Sequence, residues 1–159
     1  MVSIKWCITQ KNGIKLIEPN QNMSASYEAM ARESIIIIDN VKQSKIWTAT
    51  TTYYIFYYSL YALMMRIGIK CEIHSCSLEF MRQCLEEFYS PLDIKRIESA
   101  FSARIDLQYY ANRAVDASII EENKKYCTGF YLKTKDAIVK INENQVKNIR
   151  KKISEGDLL

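Results

Sequence analysis

His74 is the only histidine in this chain of 159 residues. An imidazole is the side chain that takes up and releases protons near neutral pH. The other grouping that could do chemistry is Arg104-Ile105-Asp106-Leu107-Gln108-Tyr109-Tyr110. Residues three and four apart share a helix face, so Arg104, Gln108 and Tyr109 would gather there. A guanidinium beside phenols suits a phosphate or a carboxylate. Each grouping also has a plainer reading. His74 can be a polar residue at the start of a helix, bonded to backbone. Arg104 can be satisfied by a nearby Asp or Glu, with the tyrosines in the core. One histidine without a partner is not a catalytic constellation, so the residues alone favour the plainer readings.

The soft ligands Cys71, His74, Cys76 and Cys84 invite a metal. Structural zinc sites pair their ligands closely twice over, and here the second pair is missing. No metal or other cofactor is expected, and Cys76 and Cys84 read as small hydrophobes on one helix face. There is no glycine-rich phosphate loop, nucleophile elbow or paired-carboxylate motif. The lysines and arginines from Lys124 to Lys152 alternate with acids and read as a solvated face. The net charge of +4 permits contact with nucleic acid or an acidic partner without demanding either.

Positioning such groups falls to helices. With only 4 Gly and 2 Pro, the chain has few breakers and favours long helices over a many-turned sheet fold. The expected fold is all-α, an up-and-down bundle of about five helices in a single domain, 1–159. Residues 1–19 form a short extended or hairpin N-terminal arm, 20–142 the bundle and 143–159 a polar C-terminal tail. In the arm, Ile4, Trp6 and Ile8 alternate and Asn12-Gly13 is a hairpin-type turn. Asn20 or Asn22 caps the first helix.

The second helix starts near Ser44, with Gly68 as its C-cap. Its segment 46–65 carries no charge and is long enough to span a bilayer. But Tyr53, Tyr54, Tyr57 and Tyr58 sit in the middle, whereas membrane tyrosines belong at the interface. A bundle core is the better reading, with no membrane partner. The third helix begins near Ser75 or Ser77. Pro91 suits the start of a fourth. Ser118 to Glu121 is a capping box for a fifth, in which Gly129 suggests close packing to another helix. Val146, Ile149 and Ile153 line one side of the tail, as in a short last helix. Five cysteines at irregular spacing, and no secretory leader in residues 1–15, point to reduced thiols in a cytoplasm.

The string Thr52-Tyr53-Tyr54-Ile55-Phe56-Tyr57-Tyr58-Ser59-Leu60-Tyr61-Ala62-Leu63, followed by Gly68-Ile69 and His74, resembles the YYAxFxAxxALLxxxGI…H stretch of prokaryotic HEPN proteins. Arg104 to Tyr109 is similar to their later R…DY segment, with Gln108 in place of the Asp. The arm 14–20 also resembles that of some members. The resemblance spans residues 13–141. It implies a helical bundle that forms a homodimer, and a partnership with a nucleotidyltransferase, often as a toxin–antitoxin pair.

Ribonuclease members carry Arg-x(4–6)-His on one helix. Arg104 matches the arginine, but the histidine position falls on Tyr109 or Tyr110. A phenol titrating near 10 is a poor general base at neutral pH. The resemblance therefore implies a binding protein lacking the usual ribonuclease activity. It would engage a nucleotidyltransferase, RNA or a nucleotide through Arg104, Gln108, Tyr109 and Tyr110. Two alternatives are an active ribonuclease using Arg104 with His74 or Tyr109, and a purely structural dimerisation module.

Overall fold

The structure, a computed structural model, describes residues 2–155. Among them the helices are α1 (Ile4–Thr9), α2 (Gln21–Ile37), α3 (Lys45–Ile67), α4 (His74–Cys84), α5 (Pro91–Tyr109), α6 (Ala117–Lys140) and α7 (Glu143–Glu155). A 3-10 turn, Ile38–Val41, follows α2. Two short strands, β1 (Lys15–Leu16) and β2 (Ile69–Lys70), pair antiparallel with Lys15 opposite Lys70. The fold is an all-α bundle.

Its axis is α3. Ser44 caps the N-terminus by accepting from the Trp47 amide. Gly68 closes the other end at φ 84, donating to the carbonyls of Met64 and Met65. That left-handed conformation costs glycine little and other residues more. In between, Tyr53, Ile55, Phe56, Leu60, Leu63, Met64 and Ile67 are all fully buried. A helix apolar on most sides needs neighbours on most sides, and α2, α5 and α6 pack around it. Phe56 meets Phe130 of α6 edge to face at 5.0 Å, and Tyr89 stacks on the same Phe130 at 5.0 Å. Burial of each ring contributes about 2–3 kcal/mol. No helix among the described residues is long and apolar enough to cross a membrane.

Arg150 of α7 fastens the C-terminal end of α3. Its Nη1 donates to the carbonyls of Ile17, Ile67 and Gly68 at 2.6, 3.2 and 2.9 Å. Val146, Ile149 and Ile153 join the core from the same helix. Residues 143–155, read from sequence mainly as a polar tail, are thus a working part of the bundle.

The N-terminal arm departs from its expected shape. Residues 4–9 form a helix, not an extended strand, because Ser3 caps it and Ile4 and Cys7, three apart, are buried together. The Ile4-Trp6-Ile8 alternation is overridden, and Trp6 stays exposed. No hairpin forms across Asn12-Gly13; residues 15–16 pair with β2 instead. The reading of all cysteines as reduced thiols is also corrected: Cys7 and Cys76 form a disulfide, leaving Cys71, Cys84 and Cys127 as buried free thiols.

Two smaller expectations also shift. The cap of α6 is Asp116, which accepts from the Ser118 amide, rather than Ser118 itself. Gly129 faces open space, with no atom within 4 Å of where a Cβ would stand, so helix packing does not explain it.

Candidate functional site

Three elements converge on Arg104. Helix α3 offers Tyr53 and Tyr54, with Tyr57 and Tyr58 one turn on, since i and i+4 share a face. Helix α5 brings Phe101, Arg104 and its last residue, Tyr109. His74 opens α4, placed by the tight Gly68 turn and the β1–β2 pairing that precede it.

The Arg104 side chain is buried against this aromatic wall. Its guanidinium carbon lies 5.4, 5.2 and 5.6 Å from the ring centres of Tyr53, Tyr54 and Tyr109, within cation–π range. Its Nη2 donates to the phenol oxygens of Tyr109 at 3.2 Å and Tyr54 at 3.4 Å. Nε is buried with no partner. Among the described residues no carboxylate pairs with Arg104, so the plainer reading of an arginine held by Asp or Glu fails. The nearest acid in sequence, Asp106, is taken by Arg113 at 2.6 Å.

His74 stacks flat on Tyr57, with centroids 4.1 Å apart and planes 4° apart, and more loosely on Phe101 at 6.1 Å. Its Nδ1 lies 2.5 Å from the Tyr53 phenol. Burial, reinforced by the positive charge of Arg104, lowers the His74 pKa to about 4. Burial likewise drives the Tyr53 phenol well above its usual range. At neutral pH both groups are uncharged. Tyr53 can donate to Nδ1, which leaves the ring proton on Nε2. The alternate tautomer needs only the hydroxyl to turn and accept.

Of the residues singled out from sequence, the structure brings together Arg104, Tyr109 and His74. It leaves two outside. Gln108, one turn beyond Arg104 on α5, is exposed and makes no hydrogen bond to it. Tyr110 lies just past the helix, where Arg113 covers its ring at 3.7 Å. The contributors that sequence reasoning missed as site residues are Tyr53, Tyr54, Tyr57 and Phe101. Their apolar periodicity marked them as core, and much of each ring is indeed core. The available signal was the density of phenols on an uncharged helix, which calls for donors opposite.

Among the described residues no group of His, Cys, Asp and Glu side chains is arranged to hold a metal ion. Burial raises the Cys84 thiol to about 12 and the Cys127 thiol to about 11, so both stay protonated and inert. The late basic residues scatter into ion pairs: Lys124 with Asp39, Lys133 with Asp93, Lys140 with Asp136. They do not gather into one patch beside Arg104.

Chemically, the site gathers hydrogen-bond donors: the buried guanidinium, the Tyr54 and Tyr109 hydroxyls that accept from it, and a neutral imidazole. Such a set accepts an anion and repels a cation. No protein-family model matches the chain, and neither does any curated protein.

Proposed function

We propose that this chain is a HEPN-like binding domain that takes a phosphate group of RNA or a nucleotide at Arg104. The observation that supports this reading is a buried arginine with no carboxylate partner and an unpaired Nε, faced by phenols. With the exposed Tyr109 swung aside, a phosphate oxygen would accept charge-assisted hydrogen bonds from the guanidinium. Tyr109, 63% exposed, would form the outer wall and offer its ring to a base. In the wider reading the domain acts as a homodimer with a nucleotidyltransferase partner, in a toxin–antitoxin-type role. Exposed Met23, Met30, Ile36, Ile37 and Trp47 on α2 and α3 supply apolar surface for such assembly.

Titration calorimetry with a short RNA oligonucleotide and with nucleoside monophosphates tests the binding reading. Arg104→Ala should weaken binding by at least about tenfold, the loss of one charge-assisted bond. Arg104→Lys should recover only part, because an ammonium cannot replace the planar fork. Equal affinity in wild type and Arg104→Ala would sink the proposal. Light scattering at several concentrations tests the dimer.

A second reading, ribonuclease activity, is favoured by one observation. The Tyr53 phenol ties His74 into the same aromatic cluster as Arg104. With Tyr53 turned to accept, Nε2 has a free lone pair for a substrate hydroxyl, while Arg104 would steady the charge building on phosphorus. RNA cleavage lost in both His74→Gln and Arg104→Ala would support it. Cleavage that persists in either variant would rule it out.

A further inference from the structure

A disulfide lies beside the candidate site and plays no part in the proposed phosphate binding. Cys7 of α1 is joined to Cys76, two residues after His74 and in the first turn of α4. Ile73 at the N-cap of α4 makes no side-chain capping bond. The start of this helix, which carries His74, therefore depends on tertiary ties for its position. Between α4 and α5 lies a cavity of about 350 Å³, whose walls include Ser75, Leu78, Phe101, the acids Glu79 and Glu98, and Val2 just ahead of α1. Ser75 is the neighbour of His74, and Phe101 stacks on its ring. The segment leading into α1 thus contributes Val2 to the wall of a groove that shares Phe101 with the candidate site.

We infer that the Cys7–Cys76 disulfide is a redox latch that straps α1 to the start of α4, beside this groove, and fixes His74 in the aromatic cluster. What the disulfide alone holds is limited and well defined. Residues 12–17 are kept by other bonds: the Glu72 amide to the Asn12 carbonyl at 2.8 Å, Ile17 to Gly68 at 2.9 Å, and the β1–β2 pair. Upstream of them, α1 is a six-residue helix, too short to persist by itself. It has buried Ile4 and Cys7, and the Ile14 amide donating to the Cys7 carbonyl.

Breaking the S–S bond removes the covalent tie of this segment to α4 and leaves the rest of the arm in place. The reductant is a low-molecular-weight thiol or a protein dithiol. It supplies two electrons and two protons, Cys7 and Cys76 become thiols, and the reductant becomes a disulfide. Both sulfurs are fully buried, so exchange proceeds through brief lifting of α1, a helix of only six residues. The loosened strap opens the cavity and frees the first turn of α4, so His74 samples positions away from Tyr57 and Tyr53. The consequence for ligand binding rests on the reading of Arg104 and His74 as one site; the latch itself does not.

The test uses the full chain, purified without reductant and then treated with a phosphine reductant. Thiol counting after denaturation should give three free thiols before treatment, Cys71, Cys84 and Cys127, and five after. Reduction should expose residues 2–12 to limited proteolysis and shift the His74 ring resonances in NMR. The Cys7→Ser/Cys76→Ser double variant should already resemble the reduced protein and ignore the reductant. If that variant does not fold, reoxidation of the reduced wild type should restore both protection and the His74 signals.

The latch is overturned by five thiols that persist after incubation with glutathione disulfide. It is overturned equally if reduction leaves either the proteolysis or the His74 resonances unchanged. Loss of RNA binding in Arg104→Ala is read separately, so failure of the phosphate site and failure of the latch give different results.

Discussion

Lowering the pH from 7 to 4 should destabilise this protein through His74, and the effect can be isolated because there is no other histidine. The folded chain holds the ring neutral to about pH 4, through burial and the nearby Arg104 charge. The unfolded chain takes up a proton near pH 6.5. Between those values the unfolded state binds more protons than the folded one, so stability falls as pH drops and the loss levels off below about 4. The full difference corresponds to at most about 3.5 kcal/mol, at about 1.4 kcal/mol for each pH unit. Solvent reaches the half-buried ring and reduces the figure to roughly 1–2 kcal/mol.

Carboxylates add their own acid dependence, so the informative quantity is a difference. Urea unfolding at pH 7, 6, 5 and 4.5 should show wild type losing roughly 1–2 kcal/mol more than His74→Gln. Gln lacks a titrating proton yet can still accept from Tyr53. An NMR titration of the ring should find no midpoint above about 5. A midpoint near 6.5, or parallel stability curves for the two proteins, would mean that His74 is not seated among Tyr53, Tyr57 and Arg104 as described.

Two further predictions concern the scaffold. Arg150→Ala removes the donor shared by the carbonyls of Ile17, Ile67 and Gly68 and should cost about 2–3 kcal/mol in urea unfolding; a change within about 0.5 kcal/mol would show a surface arginine. Gly129→Ala, at an open position inside α6, should raise stability by about 0.5–1 kcal/mol through helix propensity, and a lower melting temperature would reveal packing that the structure does not contain.

How much of this was legible beforehand follows the range of the forces involved. Helix α3 could be read from its uncharged run, the Ser44 cap and the Gly68 stop, because these signals are local. Pro91 at the start of α5 was legible for the same reason. Helix α1 was not. Six residues give little periodicity, Ile4-Trp6-Ile8 reads as a strand, and what anchors the segment is a disulfide to a residue far along the chain. Cysteine spacing could not disclose that pairing. Arg104, Tyr109 and His74 were each visible as chemical types, but their meeting depends on tertiary packing of α3, α4 and α5. Gln108 and Tyr110 were included on spacing alone. Gln108 shares the face of Arg104 but is exposed near the end of the helix, and the helix stops before Tyr110.

The energetics of Arg104 carry the functional argument beyond resemblance. Taking a guanidinium out of water without a counter-ion costs several kcal/mol even after relaxation. Contact with an aromatic face returns about 0.5–2 kcal/mol, and hydrogen bonds from a charged donor to neutral phenols return a similar amount. Tyr53, Tyr54 and Tyr109 can therefore offset much of the burial of Arg104, but its Nε is still without an acceptor.

A leucine or methionine in the same space would stabilise the fold as well or better, so an arginine kept there is kept for binding. Arg104→Met should then leave the protein at least as stable as wild type while abolishing binding of an RNA oligonucleotide. Stability lost by more than about 2 kcal/mol, with binding intact, would assign Arg104 to the scaffold and remove the reason for placing an anion there. The two measurements can be made on the same sample, and the answer turns on their opposite directions.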